Sequence, residues 1–96
     1  MTKQTILISG AASGIGRNIA EAFIAEGAQV HICDASAAAI AEFLEANPNA
    51  TATLADVSNT GDVDKVFADF DEKHDQLNIL INNAGISGPS AAVEDV

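Results

Sequence analysis

The residues whose types and spacing suit chemistry begin with a glycine-rich stretch near the N-terminus. Positions 9–16 read Ser-Gly-Ala-Ala-Ser-Gly-Ile-Gly, between an apolar run and a helical pattern. This arrangement predicts an anion site, because backbone N–H groups can approach a phosphate and the helix N-terminus adds its positive dipole end. We expect Gly10 to turn the chain through positive φ, Gly14 to leave room for a diphosphate, and Gly16 to let the helix pack closely on the strand. A plain tight turn is the alternative explanation of the glycines, but the flanking strand and helix favour a nucleotide.

A second chemical group, the carboxylate of Asp34, follows the apolar run 29–33. An acid at the end of the second strand of a nucleotide-binding βαβ unit accepts hydrogen bonds from the ribose hydroxyls of adenosine. The same charge would repel a 2′-phosphate, and an NADP site usually supplies cations nearby. Ser13 and Ala35 are neutral and Arg17 is the nearest base in sequence, so the pattern favours NAD over NADP. The alternative is that Asp34 only caps the helix that follows.

Two further groups follow apolar runs nearer the C-terminus. Asp56 and Val57 place an acid and an aliphatic side chain at a strand end, where they could bond the adenine amino group and pack on its ring. A turn role explains this pair equally well. Positions 82–85 read Asn-Asn-Ala-Gly. The asparagines can hold neighbouring strands and the loop by side-chain hydrogen bonds, while the small Ala84 and Gly85 let a cofactor pass close.

The remaining candidates for acid/base or metal chemistry are assigned structural roles. His31 falls in the middle of a strand and His74 at a helix end, with no carboxylate or cysteine at ligand spacing. The acidic run at 69–72 is interpreted as a solvated helix face, and Ser87 and Ser90 as loop residues. The sequence therefore predicts no metal site.

The elements that must position these groups alternate regularly along the chain. Strands are predicted at 4–9, 29–34, 51–57 and 77–82; helices are predicted at 14–26, from a Ser36 cap to 47–49, and from Asn59 or Thr60 to His74. Such alternation predicts a doubly wound α/β fold with a parallel sheet and right-handed crossovers. The expected strand order is 3-2-1-4, with ligands at the carboxyl ends of strands 1 and 4, where the order reverses.

The apolar positions predict which faces are buried, and Gly27 is expected to end the first helix in the left-handed conformation. The predicted buried positions are Ile15, Ile19 and Phe23 in the first helix, Val63, Val66, Phe67 and Phe70 in the third, and 79–81 in the fourth strand.

Charge and composition exclude several classes of partner. The 96 residues carry a formal net charge of −10, which argues against nucleic acid or an anionic membrane surface. No signal peptide is visible, and no run approaches the roughly 20 apolar residues of a membrane span. Cys33 is the single cysteine, so it has no internal disulfide partner. It is expected to be a small buried hydrophobe in a cytoplasmic protein.

Taken together, the motifs resemble those of the short-chain dehydrogenase/reductase family. Positions 9–16 match its Thr-Gly-x-x-x-Gly-x-Gly loop with serine in place of threonine, and Asp34 matches its NAD-selecting acid. Positions 56–57 match its adenine clamp, and 82–85 match its Asn-Asn-Ala-Gly motif. The resemblance covers essentially all of 1–90.

The resemblance implies a Rossmann-type fold that binds NAD(H). Ser13 and Ile15 would lie near the diphosphate, and Asn83, Ala84 and Gly85 near the ribose on the nicotinamide side. The implied reaction is hydride transfer between nicotinamide and a small secondary alcohol or ketone. Family members commonly form dimers or tetramers, so a homo-oligomer is implied for the full-length protein.

The family's catalytic groups have no counterpart in these 96 residues. The family uses a serine, a Tyr-x-x-x-Lys pair and an asparagine; this sequence contains no tyrosine, so no catalytic residue is assigned. We therefore expect 1–96 to be the N-terminal, cofactor-binding portion of a longer single domain of about 250 residues.

Two other hypotheses remain. One is a non-catalytic module that senses or sequesters NAD, and the other is an unrelated nucleotide-binding α/β domain, which the Asn-Asn-Ala-Gly match disfavours. Because the fourth strand would be a sheet edge with a long apolar run, the isolated chain is predicted to be marginally stable and prone to associate.

Overall fold

Four parallel strands and three helices alternate along the chain in a computed structural model, which describes residues 4–56, 59–74 and 76–82. The elements are β1 (Thr5–Ser9), α1 (Gly14–Ala25), β2 (Gln29–Asp34), α2 (Ala37–Ala46), β3 (Thr51–Leu54), α3 (Thr60–Lys73) and β4 (Ile79–Asn82). The strand order is β3-β2-β1-β4 and all three pairings are parallel. The predicted doubly wound α/β fold and its order 3-2-1-4 are confirmed.

The central strand β1 is buried along its whole length, because both faces of the sheet are covered there. Ile6 and Ile8 point to one face and join the core cluster that packs under α1 and α2. Leu7 points to the other face and joins a smaller cluster with Val66 and Phe70 of α3. This two-sided burial is typical of a parallel sheet with crossover helices on both faces.

The helix boundaries follow from specific capping residues. The Ser36 hydroxyl accepts a hydrogen bond from the Ala39 amide at 3.2 Å, as predicted for the start of α2. Asn59, rather than Thr60, caps α3, and its side-chain oxygen accepts from the amides of Gly61 at 2.9 Å and Asp62 at 3.3 Å.

Three apolar side chains that were predicted to be buried are exposed. Ile15 is 67% exposed, because α1 packs on the sheet through the small residues Gly16 and Ala20 instead. Leu80 of β4 and Phe67 of α3 are 55% and 39% exposed. Both border one apolar cavity of about 120 Å³ between α3 and β4.

The strand limits differ slightly from the predicted ones. β3 was expected to continue to Val57, but its ladder ends at Leu54, because its partner β2 ends at Asp34. Val57 itself lies outside the described residues. β4 begins at Ile79 rather than at position 77. None of the helices in the described part of the chain has both the length and the apolar character needed to traverse a bilayer.

Candidate functional site

The glycine loop leaves β1 through two left-handed residues. Gly10 has a φ of +63°, and its amide donates a 2.8 Å hydrogen bond to the Cys33 carbonyl of β2. The positive φ predicted for Gly10 is thus confirmed. Gly14 also has a positive φ, +62°, and a Cβ built on it meets no atom within 4 Å. The backbone at Gly14 therefore faces open space.

The start of α1 lies beside this open space. Ser13 is the N-cap residue in an extended conformation, yet its hydroxyl makes no capping hydrogen bond to the helix. The first amides of a helix, here from Gly14 onward, have no carbonyl acceptor within the helix. Gly16 is buried against the sheet, as its predicted packing role requires. The start of α1 thus offers amide hydrogens without the side-chain cap that usually accepts them.

Asp34 ties the glycine loop to the entry of α2. Its Oδ2 accepts a hydrogen bond from the Ala12 amide at 3.1 Å, and its Oδ1 accepts from the Ser36 amide at 3.0 Å. The carboxylate is held at the carboxyl end of β2, next to the loop. A carboxylate has about four acceptor positions, so two backbone bonds leave it able to accept hydroxyl donors as well.

Arg17, the base nearest to the glycine loop in sequence, belongs to a group of hydrogen-bonded side chains that links α1 to α2. Its Nε lies 2.9 Å from Glu21 Oε2, and the same oxygen accepts from the side-chain amide of Asn47 at 2.9 Å. The Asn47 hydrogen bond and then the Arg17 guanidinium lower the pKa of Glu21. Arg17 therefore already has an anionic partner on its own helix.

The neighbouring strand ends are also joined by side chains. The Ser9 hydroxyl donates to Asn82 Oδ1 at 3.0 Å, which links β1 to β4 as predicted for the first asparagine of the pair. Beyond β3, the Asp56 amide donates to Asp62 Oδ2 at 2.8 Å. Val57 and the predicted site residues Asn83, Ala84 and Gly85 lie outside the described part of the chain.

Cys33 is the buried thiol that the sequence predicts. It is 2% exposed, and burial raises its pKa to about 11. Within residues 4–56, 59–74 and 76–82, no three histidine, cysteine or carboxylate side chains are arranged to hold a metal ion.

Sequence reasoning missed the partners of His31. Its ring is fully buried, with Nδ1 2.6 Å from the Thr51 hydroxyl and Nε2 2.8 Å from the Thr53 hydroxyl. Thr53 in turn donates to Asp69, so a carboxylate of α3 lies at the end of this set. Burial is the largest cause that lowers the pKa of His31, to about 4; Asp69 opposes it, and electrostatic interactions with His74 and Lys73 add to it.

The sequence did contain a sign of this cluster, in the polar residues that alternate with apolar ones in β2 and β3. His31 pairs with Thr51 in the parallel register, and Thr51 and Thr53 share one face of β3. A polar residue in the middle of β2, opposite a threonine pair, indicates a buried polar network once strand order is known. The structural role predicted for His31 agrees with this environment.

The arrangement suits an anion at the glycine loop with a hydroxyl-bearing group beside Asp34. Donors come from the start of α1, whereas the fixed negative charge of Asp34 lies one strand away, at the same edge of the sheet. This edge is the carboxyl end of the strands, where β1 and β4 mark the reversal of strand order.

Comparisons with known proteins agree on one family. The family model for short chain dehydrogenase matches residues 4–96. A sorbitol dehydrogenase of Cereibacter sphaeroides is 39% identical over 95% of this chain and 36% of its own length. A 3beta-hydroxysteroid dehydrogenase of Mediterraneibacter gnavus is 38% identical over 98% of this chain and 36% of its own. The solved structure of a 3-ketoacyl-(acyl-carrier-protein) reductase from Brucella melitensis, complexed with NADH, is 33% identical with a TM-score of 0.77, over 80% of this chain and 32% of that one. The chain thus spans about a third of the length of these relatives.

Proposed function

Because this chain belongs to the short-chain dehydrogenase/reductase family, we propose that it forms the cofactor-binding portion of an NAD-dependent oxidoreductase. The reaction is hydride transfer between nicotinamide and a secondary alcohol or ketone. The proposal is supported by relatives named as dehydrogenases of sorbitol and of a 3beta-hydroxysteroid, and by a structural neighbour complexed with NADH. Residues 1–96 are the N-terminal part of a longer single domain on this proposal.

The observation that carries the choice of NAD is the position of Asp34. Its two backbone hydrogen bonds fix a negative charge beside the glycine loop, and the ribose hydroxyls of adenosine can use its remaining acceptor positions. A 2′-phosphate about 4 Å away would be repelled by roughly 1 to 4 kcal/mol, for effective dielectric constants of about 80 to 20. Arg17 is paired with Glu21, whose carboxylate Asn47 also holds, and this pairing supports the proposal that Arg17 does not bind a 2′-phosphate.

The residues at the loop fit a dinucleotide diphosphate. The amides from Gly14 onward and the Ser13 hydroxyl would hold the phosphates, while the exposed side chain of Ile15 would cover them. Gly10 and Gly14 supply the left-handed turns that bring the backbone close. A bound nicotinamide supplies the hydride acceptor or donor; the residues of this chain bind and orient it.

The adenine and nicotinamide-side contacts complete the proposed site. Asp56 and Val57 would hold the adenine, and Asn83, Ala84 and Gly85 would line the ribose on the nicotinamide side. For Asp56 the proposal is supported by its exposed position just beyond β3, where the Asp62 carboxylate holds its backbone amide.

The test is a titration of the full-length protein with NADH and NADPH, followed by the change in nicotinamide fluorescence. We expect NADH to bind at least about fivefold more tightly, in line with the lower end of the repulsion. Asp34→Ser should narrow this ratio, whereas Asp71→Ser, at an exposed carboxylate of α3, should leave it unchanged. Equal binding of the two cofactors, or an unchanged ratio in Asp34→Ser, would contradict the choice of NAD.

A second candidate function is a non-catalytic NAD-binding module, because the 96 residues contain no tyrosine. The two candidates differ in turnover. The full-length protein should reduce NAD with a secondary alcohol, for which sorbitol and a 3β-hydroxysteroid are the first substrates to try. Tight binding of NADH with no turnover across a broad panel of secondary alcohols and ketones would favour the module.

We further propose a cytoplasmic homo-oligomer. The cytoplasmic location is supported by the buried free thiol of Cys33, and the oligomer by the family's common dimers and tetramers. Analytical ultracentrifugation of the full-length protein tests the second point; a monomer at micromolar concentration would contradict it.

A further inference from the structure

Four side chains form a continuous hydrogen-bonded network between β2, β3 and α3, which we call the His31 network. Its members are His31, Thr51, Thr53 and Asp69. Hydrogen bonds from Lys73 and Thr53 lower the pKa of Asp69, so it is a carboxylate and can only accept. Thr53 must therefore donate its one hydroxyl hydrogen to Asp69. The Thr53 oxygen then accepts from His31, which places the hydrogen of the neutral ring on Nε2.

The other half of the network follows from this tautomer. Nδ1 of a neutral ring protonated at Nε2 carries a lone pair, so Thr51 donates its hydroxyl hydrogen to Nδ1. The Thr51 oxygen is then left to accept from His74 Nε2, 2.9 Å away at the end of α3. Because each threonine has one hydrogen to give, a neutral His31 leaves the network one consistent orientation.

A second proton on His31 is incompatible with this orientation. It would sit on Nδ1 and point at the Thr51 hydrogen, so Thr51 would have to turn that hydrogen away from the ring, towards His74 Nε2. The imidazolium would also be buried among neutral partners and charges of both signs. Facing it are Asp69, Lys73 and His74 from α3 and its C-cap, the hydroxyls of Thr51 and Thr53 from β3, Leu7 of β1, and the neutral thiol of Cys33 from β2 itself.

The network joins an edge strand of the described sheet to the helix that covers it. β3 lies at the end of the described sheet and pairs only with β2. α3 covers the smaller of the two core clusters, with Val66 and Phe70 as its buried side chains. Three of the four members of the network belong to β3 and α3. Release of these two elements would expose the ring of His31 to water without unpairing β1 from β2.

We propose that the His31 network is an acid-sensitive latch, which holds β3 and α3 on the sheet at neutral pH and releases them in acid before β1 and β2 separate. Asp56 follows β3 by two residues, so release of β3 would also move this residue, which the proposed function assigns to the adenine.

The direction of the pH effect follows from proton uptake on opening. In the closed form the pKa of His31 is about 4, whereas an exposed histidine has a pKa of about 6.5. Above pH 6.5 neither form binds the proton, and opening does not depend on pH. As the pH falls from 6.5 towards 4, only the open form gains the proton, so opening becomes more favourable. The open population rises about thirtyfold between pH 7.5 and pH 5.

The test is native-state amide hydrogen exchange of the full-length protein between pH 7.5 and pH 5, with rates corrected for the pH dependence of the exchange chemistry. We expect the amides of β3 and α3 to open more readily than those of β1 at every pH, and their opening constant to rise about thirtyfold. His31→Gln removes the titrating ring and should abolish the rise, while His74→Gln should keep it. Any of three results would overturn the latch. The first is one common opening constant for β1, β3 and α3. The others are a rise in the opening constant that persists in His31→Gln and a rise that is abolished in His74→Gln.

A second measurement tests the latch in the unsubstituted protein. Ring nitrogen chemical shifts should show His31 neutral and protonated on Nε2 at pH 5 in the folded state. A ring that is positively charged at pH 5, or neutral with its hydrogen on Nδ1, would overturn the latch as well.

Discussion

The carboxylate of Asp34 receives two backbone N–H groups, one from the glycine loop and one from the entry of α2. The sequence left open whether this residue binds ribose or serves the following helix. The bond to the amide of Ser36, the N-cap of α2, supports the helix interpretation, while the bond to Ala12 draws the same side chain to the loop. A change of Asp34 therefore alters loop geometry as well as charge. For this reason the NADH to NADPH ratio is a better measure of selectivity than the affinity for either cofactor alone.

The left-handed glycines give a matched pair for testing the loop. Gly14 and Gly27 both have positive φ and open space at the position of a Cβ, but only Gly14 belongs to the proposed diphosphate site. Gly14→Ala and Gly27→Ala should each lower the free energy of unfolding by about 1 kcal/mol, the cost of an L side chain in this conformation. Only Gly14→Ala should also weaken NADH binding, because its methyl group projects into the space facing the loop.

Chemical denaturation and NADH titration of both variants separate these effects. If Gly14→Ala binds NADH as tightly as Gly27→Ala does, the diphosphate does not approach the backbone at Gly14.

At the scale of the elements, apolar runs and capping residues were sufficient to predict the fold. Each crossover was expected to be right-handed, and the order of strands was expected from the doubly wound topology, in which the order reverses between β1 and β4. β3 was predicted to extend too far. A strand ends where its partner strand ends, so the limit of β3 depends on the sequence of β2 rather than on its own. Ile15 was wrongly predicted to be buried. The helical period of α1 was correct, but α1 contacts the sheet through Gly16 and Ala20, whose small size allows a closer approach.

The His31 network was beyond sequence reasoning for a different reason. Its hydrogen-bond partners lie 20 and 22 residues away in sequence, and Asp69 is farther still, on another element. Spacing along the chain therefore gives no sign of a shared environment. Only the parallel register of β2 and β3 brings the three polar side chains to one face.

The start of α3 supplies a prediction about the end of β3. Asp62 lies in the first turn of α3, near its positive end, and accepts the amide hydrogen of Asp56. Asp62→Ala should lower the free energy of unfolding by about 1 kcal/mol through loss of both interactions. It should also weaken NADH binding if Asp56 holds the adenine.

Asp64→Ala is the matched control for this change. Asp64 is an exposed acid two residues further along the same helix. Its removal should change the unfolding free energy by less than about 0.5 kcal/mol, as measured by urea denaturation. If the two substitutions lowered the unfolding free energy equally, Asp62 would stabilise the protein only through the helix dipole and not through its bond to the Asp56 amide.

At the scale of the whole molecule, the two faces of the sheet are unequally covered. The face under α1 and α2 holds the larger cluster, which includes the fully buried Phe43. The face under α3 includes the cavity beside Phe67 and Leu80, on the side of β4. Within the described residues β4 is an edge strand, so an apolar surface and an edge of the sheet coincide there.

This coincidence predicts that the 96-residue chain, studied as an isolated polypeptide, associates through the β4 side of the sheet. Leu80→Gln should reduce association, because it removes apolar surface from a side chain that is already 55% exposed and so does not disrupt the core. Leu54→Gln is the control, since Leu54 is 47% exposed but lies on β3, at the opposite edge of the sheet. Sedimentation velocity over a range of concentrations measures the effect. A monomeric chain with a cooperative thermal transition would contradict the prediction, and an equal reduction in both variants would show that association follows general hydrophobicity rather than the β4 surface.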